Sequence, residues 1–171
     1  MDKKQIETER KYIILLPDIS LLEKTEGYTK SEITQIYLSL SKEKTDRVRR
    51  RVFLDRTEYT RTVKTRVDGM SNVEDEREIT REEFDRLSEY IRKDTSVLHK
   101  TRHTFVYGDK TFEVDVYPYW KNTAIMEVEL DFVNRDVTTP PFIKVVREVT
   151  GNREYSNARM SKSFPKEDSL N

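Results

Sequence analysis

Apolar and polar residues alternate with a period of two along most of the chain, as in strands half buried on a sheet. The alternation predicts eight strands, at about 5–15, 33–40, 46–54, 57–66, 73–80, 97–107, 111–118 and 124–132. A helical period interrupts it three times. Near 17–24, Pro17 precedes Ile19, Leu21 and Leu22. Over 80–93, Thr80 is placed to cap, Glu82 and Glu83 fall in the first turn, and Phe84, Leu87 and Ile91 form an apolar stripe. Over 140–150, Pro140–Pro141 opens a helix, Ile143 and Val146 face inward and Gly151 stops it. Asp68–Gly69 and Gly108–Asp109 read as turns, the second as a tight hairpin. The polar stretch from 163 reads as a frayed end. The expected organisation is therefore one domain over 1–162 and a flexible C-terminal tail over 163–171.

Sorting each strand by parity separates its two faces. One face carries Glu7, Glu9 and Lys11; then Gln35 and Tyr37; Arg47, Arg49 and Arg51; Glu58, Thr62, Lys64 and Arg66; Glu74, Glu76 and Glu78; Lys100 and Arg102; Glu113 and Asp115; Glu127, Glu129 and Asp131. The other face is largely apolar, as in Val48, Val52 and Leu54, or Met126, Val128 and Leu130. A solvated antiparallel sheet gives the same alternation. Two details point further. The charged face is blocked by sign, with acids on strands one, five, seven and eight and bases on three, four and six. An open eight-stranded sheet would also leave edges that closure removes. If the sheet closes, either face can line the inside. Helical apolar stripes covering an apolar outer wall would leave the charges around a polar lumen.

Composition sharpens this. The chain has 171 residues, a length suited to one domain, with 32 bases against 32 acids and a net charge of zero. Zero cysteine excludes a disulfide scaffold, a thiolate metal site and a cysteine nucleophile, and it fits a reducing, cytoplasmic setting. No apolar run approaches the roughly 20 residues of a membrane span, and the first residues resemble no signal-peptide core. A neutral total argues against a generic nucleic-acid binder. The total hides a local segregation: residues 47–66 hold eight bases and two acids, and residues 67–89 hold nine acids and three bases. Burying such charges costs several kcal/mol per ion unless they are paired or metal-bound. A polyanion held through a divalent cation would account for the arrangement. Arginine forks suit phosphate oxygens, and paired carboxylates are hard ligands for Mg²⁺ or Mn²⁺. His99 and His103 fall on the apolar parity and read as wall residues; Tyr117, Tyr119 and Trp120 read as a packing cluster.

Several short motifs stand in order along the chain: Glu7-Thr8-Glu9-Arg10-Lys11, Gln35-Ile36-Tyr37-Leu38, Arg49-Arg50-Arg51, Tyr59 to Lys64, Glu76-Arg77-Glu78, Lys100-Thr101-Arg102, Glu113-Val114-Asp115, Glu127-Val128-Glu129 and Tyr155-Ser156-Asn157. As a set over about residues 5–162 they resemble the CYTH superfamily, the triphosphate tunnel metalloenzymes. The resemblance implies an α+β, mainly antiparallel fold: a closed eight-stranded β-barrel with helices outside and the charges within. It implies a small-molecule triphosphate substrate, inorganic tripolyphosphate first, or a nucleoside or thiamine triphosphate, with one or two Mg²⁺ or Mn²⁺ ions. Carried over by position, Glu7, Glu9, Asp115, Glu127 and Glu129 form the metal set. Lys11, Arg49, Arg51, Lys64, Lys100 and Arg102 form the phosphate clamp. Glu76 and Glu78 hold a second metal or orient water, and Tyr37 lies near Lys100; with Lys100 these make the catalytic set. The same superfamily also implies two alternatives, a class IV-type adenylate cyclase and a non-catalytic polyphosphate- or nucleotide-binding module. Neither a membrane nor a nucleic acid is an expected partner, and a homodimer is compatible with the sequence. One departure stands out: Glu74 occupies the slot two residues before the central Glu-x-Glu, where the family often has Arg. The His-Phe element that precedes the first motif in the cyclases is absent before Glu7.

Overall fold

The computed structural model describes residues 3–130 and 136–170. Eight strands close into one antiparallel barrel: β1 (Lys3–Leu15), β2 (Glu26–Leu40), β3 (Lys44–Val52), β4 (Thr57–Arg66), β5 (Ser71–Glu78), β6 (Leu98–Tyr107), β7 (Lys110–Val116) and β8 (Thr123–Glu129). The order around the barrel is β5-β4-β3-β2-β6-β7-β8-β1, and β1 pairs with β5 to shut it. The first strand makes closure feasible because it is long enough to serve two neighbours on one edge. Its residues 3–8 pair with β5, and its residues 12–14 pair with a ninth strand, β9 (Val145–Glu148), while residues 9–15 pair with β8 on the other edge.

Alternation then decides what lies inside. The outward face of β1, β6, β7 and β8 is apolar (Tyr12, Ile14, Phe105, Phe112, Val114, Met126, Val128) and is covered by Leu22 of the one-turn helix α1 (Ile19–Leu22) and by Ile143. The outward face of β2 and β3 (Ile36, Val48) is covered by Phe84 of helix α2 (Arg81–Ser88), with Leu87 and Ile91 beside it. The Thr80 cap is formed as expected, its hydroxyl accepting from Glu83 N at 3.0 Å. The hairpin at Gly108–Asp109 is also formed, with Gly108 at φ 62°. His103 and His99 stay on the outer side, bonded to Tyr28 and Thr34. No described helix is long and apolar enough to cross a membrane.

Three expectations change. The helix read over 140–150 is instead an irregular run ending in β9. Ile143 and Val146 mimic a helical spacing, but the lower edge of β1 offers unpaired backbone where β5 stops, and β-branched Val145–Val146 fits a pleated edge. Val149 N accordingly donates to Lys11 O at 2.8 Å. The stretch from 163, read as a frayed tail, is docked. Trp120 Nε1 donates to Pro165 O at 2.9 Å, and the Glu167 carboxylate accepts from the backbone of Lys121 and Asn122 and from Thr123 Oγ1. Leu170 is fully buried. A short helix α3 (Asn157–Lys162), capped by Ser156, was also not anticipated. Asp131 and Phe132, read as the end of the eighth strand, lie outside the described residues.

The lower end of the barrel interior is apolar, not charged. Ile13, Leu98, Tyr117 and Ile125 continue the inward parity of Lys11, Lys100, Asp115 and Glu127, and they pack with Trp120, Val149, Tyr155, Met160 and Leu170. Beside this plug, Gly151 sits at φ 72° so close to the β4–β5 loop that a Cβ would meet Gly69 O at 2.7 Å. Gly151→Ala is therefore expected to lower stability by about 1–3 kcal/mol, from left-handed strain plus a backbone clash. Urea unfolding of the two proteins measures it, and an unchanged midpoint would remove this contact from the account.

Candidate functional site

The rest of the lumen is a cavity of about 770 Å³. Strand alternation points Glu7, Glu9, Lys11, Tyr37, Arg49, Arg51, Lys64, Glu76, Lys100, Arg102, Glu127 and Glu129 into it, all of them expected from sequence. Two expected residues do not line it. Glu78, at the upper end of β5, is exposed beyond the rim. Asp115 is 0 % exposed and serves the wall. Its carboxylate accepts Lys100 Nζ at 2.6 Å and Arg102 Nε and Nη2 at 2.7 Å each. Sequence reasoning passed over Arg47 and Glu113 as site residues, although both share the charged parity; the structure sets both on the cavity wall.

Two ionic networks organise the cavity. In the first, Arg102 reaches Glu113 at 2.5 Å and Glu127 at 3.3 Å as well as Asp115, and Glu127 continues to Lys11 Nζ at 3.0 Å. Burial alone would weaken the charges of Asp115 and Glu127; Arg102 and Lys100 override it for Asp115, and Lys11 and Arg102 for Glu127, so both carboxyls lie below their usual range. Burial, with Arg102 beside it, pushes Lys100 down to about 8 against the pull of Asp115. Glu9 is raised by burial and by Glu127, and Glu129 by burial and by Glu113. These are diagonal cross-strand neighbours: Glu9 stands opposite Glu129 and Glu113 opposite Glu127, so Glu9 meets Glu127 and Glu113 meets Glu129 one step along the same face.

In the second network, Lys64 Nζ lies 2.8 Å from Glu74 and 3.7 Å from Glu7, and Arg47 lies 3.9 Å from Glu74. Arg49 and Thr62 both donate to Glu76, at 3.3 and 2.7 Å. Glu7 and Glu74 lie on either side of the Lys64 ammonium. Burial and Glu74 raise Glu7 to about 8, while Arg47 and Lys64 overcome burial and hold Glu74 at about 2. The Tyr37 hydroxyl accepts Gln35 Nε2 at 2.6 Å, not Lys100, whose ammonium is committed to Asp115. The pairing expected between Tyr37 and Lys100 is thus replaced. The Nε atoms of Arg47 and Arg49 are buried with no hydrogen-bond partner.

The chain is thus a closed antiparallel barrel with its apolar face turned outward and a lumen lined by both cations and carboxylates. Solved structures share it. The crystal structure of the inorganic triphosphatase NE1496 is 25% identical with a TM-score of 0.59, over 93% of this chain and 96% of that one. The PH1819 protein from Pyrococcus horikoshii OT3 is 20% identical with a TM-score of 0.55, over 75% and 80%. HpAC1 from Hippeastrum, described as an adenylyl cyclase with a dominant triphosphatase activity, is 15% identical with a TM-score of 0.50, over 71% and 79%. No family model and no curated protein matches the chain. The shared barrel gives the chain a common fold with these solved structures, and the likeness to the inorganic triphosphatase NE1496 extends over nearly the whole chain.

Two predictions follow from the networks. Asp115→Ala leaves Lys100 and Arg102 buried without their shared anion, and should cost about 3–5 kcal/mol; a urea midpoint near that of the parent would remove Asp115 as the wall's anchor. Glu7 is protonated in the fold up to about pH 8 but only to about its ordinary 4.5 when unfolded. Folding therefore binds a proton in that window, and the metal-free protein loses stability as pH rises from about 5 to 8. Because the Glu7 side chain is 40% exposed, the effect is at most about 1 kcal/mol. Glu7→Gln should flatten that slope in urea titrations at pH 5 and 8.5; an unaltered slope would show that Glu7 is not the group that titrates.

Proposed function

We propose that the protein is a divalent-cation-dependent hydrolase of a triphosphate, with inorganic tripolyphosphate as its first substrate. The observation that carries this reading is the pair of orphaned donors: Arg47 Nε and Arg49 Nε are buried on the cavity wall with nothing to accept from them. Each such group costs about 1–3 kcal/mol, a cost that phosphate oxygens arriving in the lumen would relieve. The fold likeness to an inorganic triphosphatase over nearly the whole chain supports the same reading.

The carboxylates suit a hard cation. Among the described residues no three acids form a finished metal cage. Mg²⁺, however, is commonly held by one or two carboxylates completed by water and substrate phosphates. Glu9, Glu127 and Glu129, with Glu113 beside them and Glu7 across the lumen, would hold the ion; Asp115 would not touch it. A bound Mg²⁺ or Mn²⁺ would offset phosphate charge and help activate a water. The protein's own groups do the rest. Arg49, Arg51, Lys64 and Arg47 draw the chain along one wall, and Lys11 and Arg102 hold it from the other, in line for attack at the terminal phosphorus. Glu76, fixed by Thr62 and Arg49, accepts from and orients the attacking water. Lys100, with its proton loosened by burial, donates toward the leaving oxygen.

Glu9→Ala should cut metal-dependent phosphate release from tripolyphosphate by about 100-fold or more, as loss of a group that serves the transition state does. It should leave the fold intact, because an isolated Glu9 carboxylate is already disfavoured by burial and Glu127. Chelation by EDTA should abolish release in the parent. A Glu9→Ala protein that turns over like the parent would overturn the site, and cyclic nucleotide with pyrophosphate from ATP would move the chemistry to the cyclase class.

A further inference from the structure

Arg51 stands apart from the other cations of the triphosphate seat. Lys11 and Arg102 have Glu127, Arg47 and Lys64 have Glu74, Arg49 has Glu76 and Lys100 has Asp115, each within 3.9 Å. Among the described residues Arg51 has no carboxylate in contact. Strand register alone would give it one. Glu58 stands directly opposite on β4, where cross-strand side chains start only about 5 Å apart and opposite charges meet. The Glu58 carboxylate goes elsewhere: it accepts Arg56 Nε at 2.8 Å, while Arg56 Nη1 takes Asp55 at 3.1 Å. The turn between β3 and β4 sets this up. Phe53 N donates to Arg56 O at 2.8 Å, which places the two residues across from each other at its neck. The Arg56 guanidinium lies 3.8 Å from the centre of the Phe53 ring. The same ring lies 4.6 Å from the Arg51 guanidinium, and Arg51 Nε donates to the buried Ser31 hydroxyl at 2.8 Å. A ring face and a hydroxyl thus fix Arg51 without cancelling its charge.

We propose that the β3–β4 turn is a positioning element for the lumen: Arg56 draws Glu58 away from Arg51 and Phe53 bears the Arg51 guanidinium, so that one cation of the seat stays unneutralised for a phosphate. Phe53, Arg56 and Glu58 are positioning residues that act through Arg51. The proposal rests on the reading of the lumen as a triphosphate seat. A cation already paired with a carboxylate serves a phosphate only by giving up part of that pair. A cation held by neutral groups meets the phosphate without that competition, and a charge-assisted bond to it is correspondingly strong. Stability does not account for the arrangement. The Arg56 and Glu58 side chains are 52% and 43% exposed, and ion pairs so exposed contribute little to folding. Their effect falls on which cation Glu58 leaves free.

The test is the dissociation constant for tripolyphosphate, measured by calorimetry with Mg²⁺ on the full chain. Arg56→Met keeps an apolar stem beside Phe53 and frees Glu58, which should then turn to Arg51. Affinity should fall about three- to fivefold, with the urea midpoint little changed. Arg56→Met/Glu58→Gln should restore affinity to within about twofold of the parent. Arg56→Met/Asp55→Asn has the same net charge as that double variant and should not restore it. Arg50→Met removes a neighbouring cation that faces outward to Thr34 and should bind as the parent does. Parental affinity in Arg56→Met, or equal rescue by Asp55→Asn, overturns the proposal. A ligand-free readout separates it from the triphosphatase reading. The Arg51 Nε–Hε correlation in NMR spectra, assigned by its loss in Arg51→Lys, should shift in Arg56→Met and return with Glu58→Gln; a signal that Glu58→Gln does not bring back overturns the proposal. If the parent does not bind tripolyphosphate, the triphosphatase reading fails, and this signal alone decides whether the turn keeps Arg51 unpaired.

Discussion

Asp115 sits between Lys100 and Arg102 inside a closed barrel, and the rest of the lumen depends on that contact. Ions taken from water into a protein interior cost several kcal/mol each unless their partners are close and well aimed. Here the partners form a chain of alternating sign across four strands, from Lys100 through Asp115, Arg102 and Glu127 to Lys11. Each member is fixed by strand register, so no side chain has to search for its counter-ion. The apolar outer faces, covered by α1, α2 and the run before β9, drive the barrel shut. The internal ion chain makes the closed state tolerable.

The opposite wall is balanced differently. Arg49 shares Glu76 with Thr62, and Arg47 and Lys64 share Glu74. Charge is nearly matched, but hydrogen bonding is not, since two guanidinium Nε atoms have no acceptor. A lumen evolved only for stability would be apolar or fully paired. This one leaves guanidinium donors open on one wall, which a bound polyanion would exploit. The neutral total of the chain, 32 against 32, is in good part internal bookkeeping.

Parity carried most of this information in the sequence. Period-two alternation separates the two faces of every strand, and twelve of the fourteen residues expected at the site line one cavity. Parity could not fix depth along a strand. Glu113 and Asp115 share a face, but two residues is roughly 7 Å of strand, enough to put Glu113 on the cavity and Asp115 in the wall. The same limit hid the apolar plug, because Ile13, Leu98 and Ile125 continue charged stripes and belong to them by pattern alone. β9 was illegible for another reason. Its pairing depends on where β5 stops along β1, a non-local fact. The docked C-terminus likewise depends on Trp120 and on the backbone of Lys121 and Asn122, which lie more than forty residues away.

Glu74 shows how one departure from the motif pattern that the chain resembles redistributes a whole wall. An arginine in that slot would add a phosphate donor. The carboxylate instead engages Lys64 and Arg47 and, with burial, raises the pKa of its neighbour Glu7. Lys64 and Arg47 can then serve a phosphate only in competition with Glu74, and Arg49 in competition with Glu76, so the strongest uncommitted attraction on this wall shifts toward Arg51. Arg51 makes a hydrogen bond to Ser31 at 2.8 Å and lies over Phe53, with no acid in contact among the described residues. A triphosphate drawn by that imbalance would sit nearer the upper half of the lumen, beside Glu9, Glu113 and Glu129.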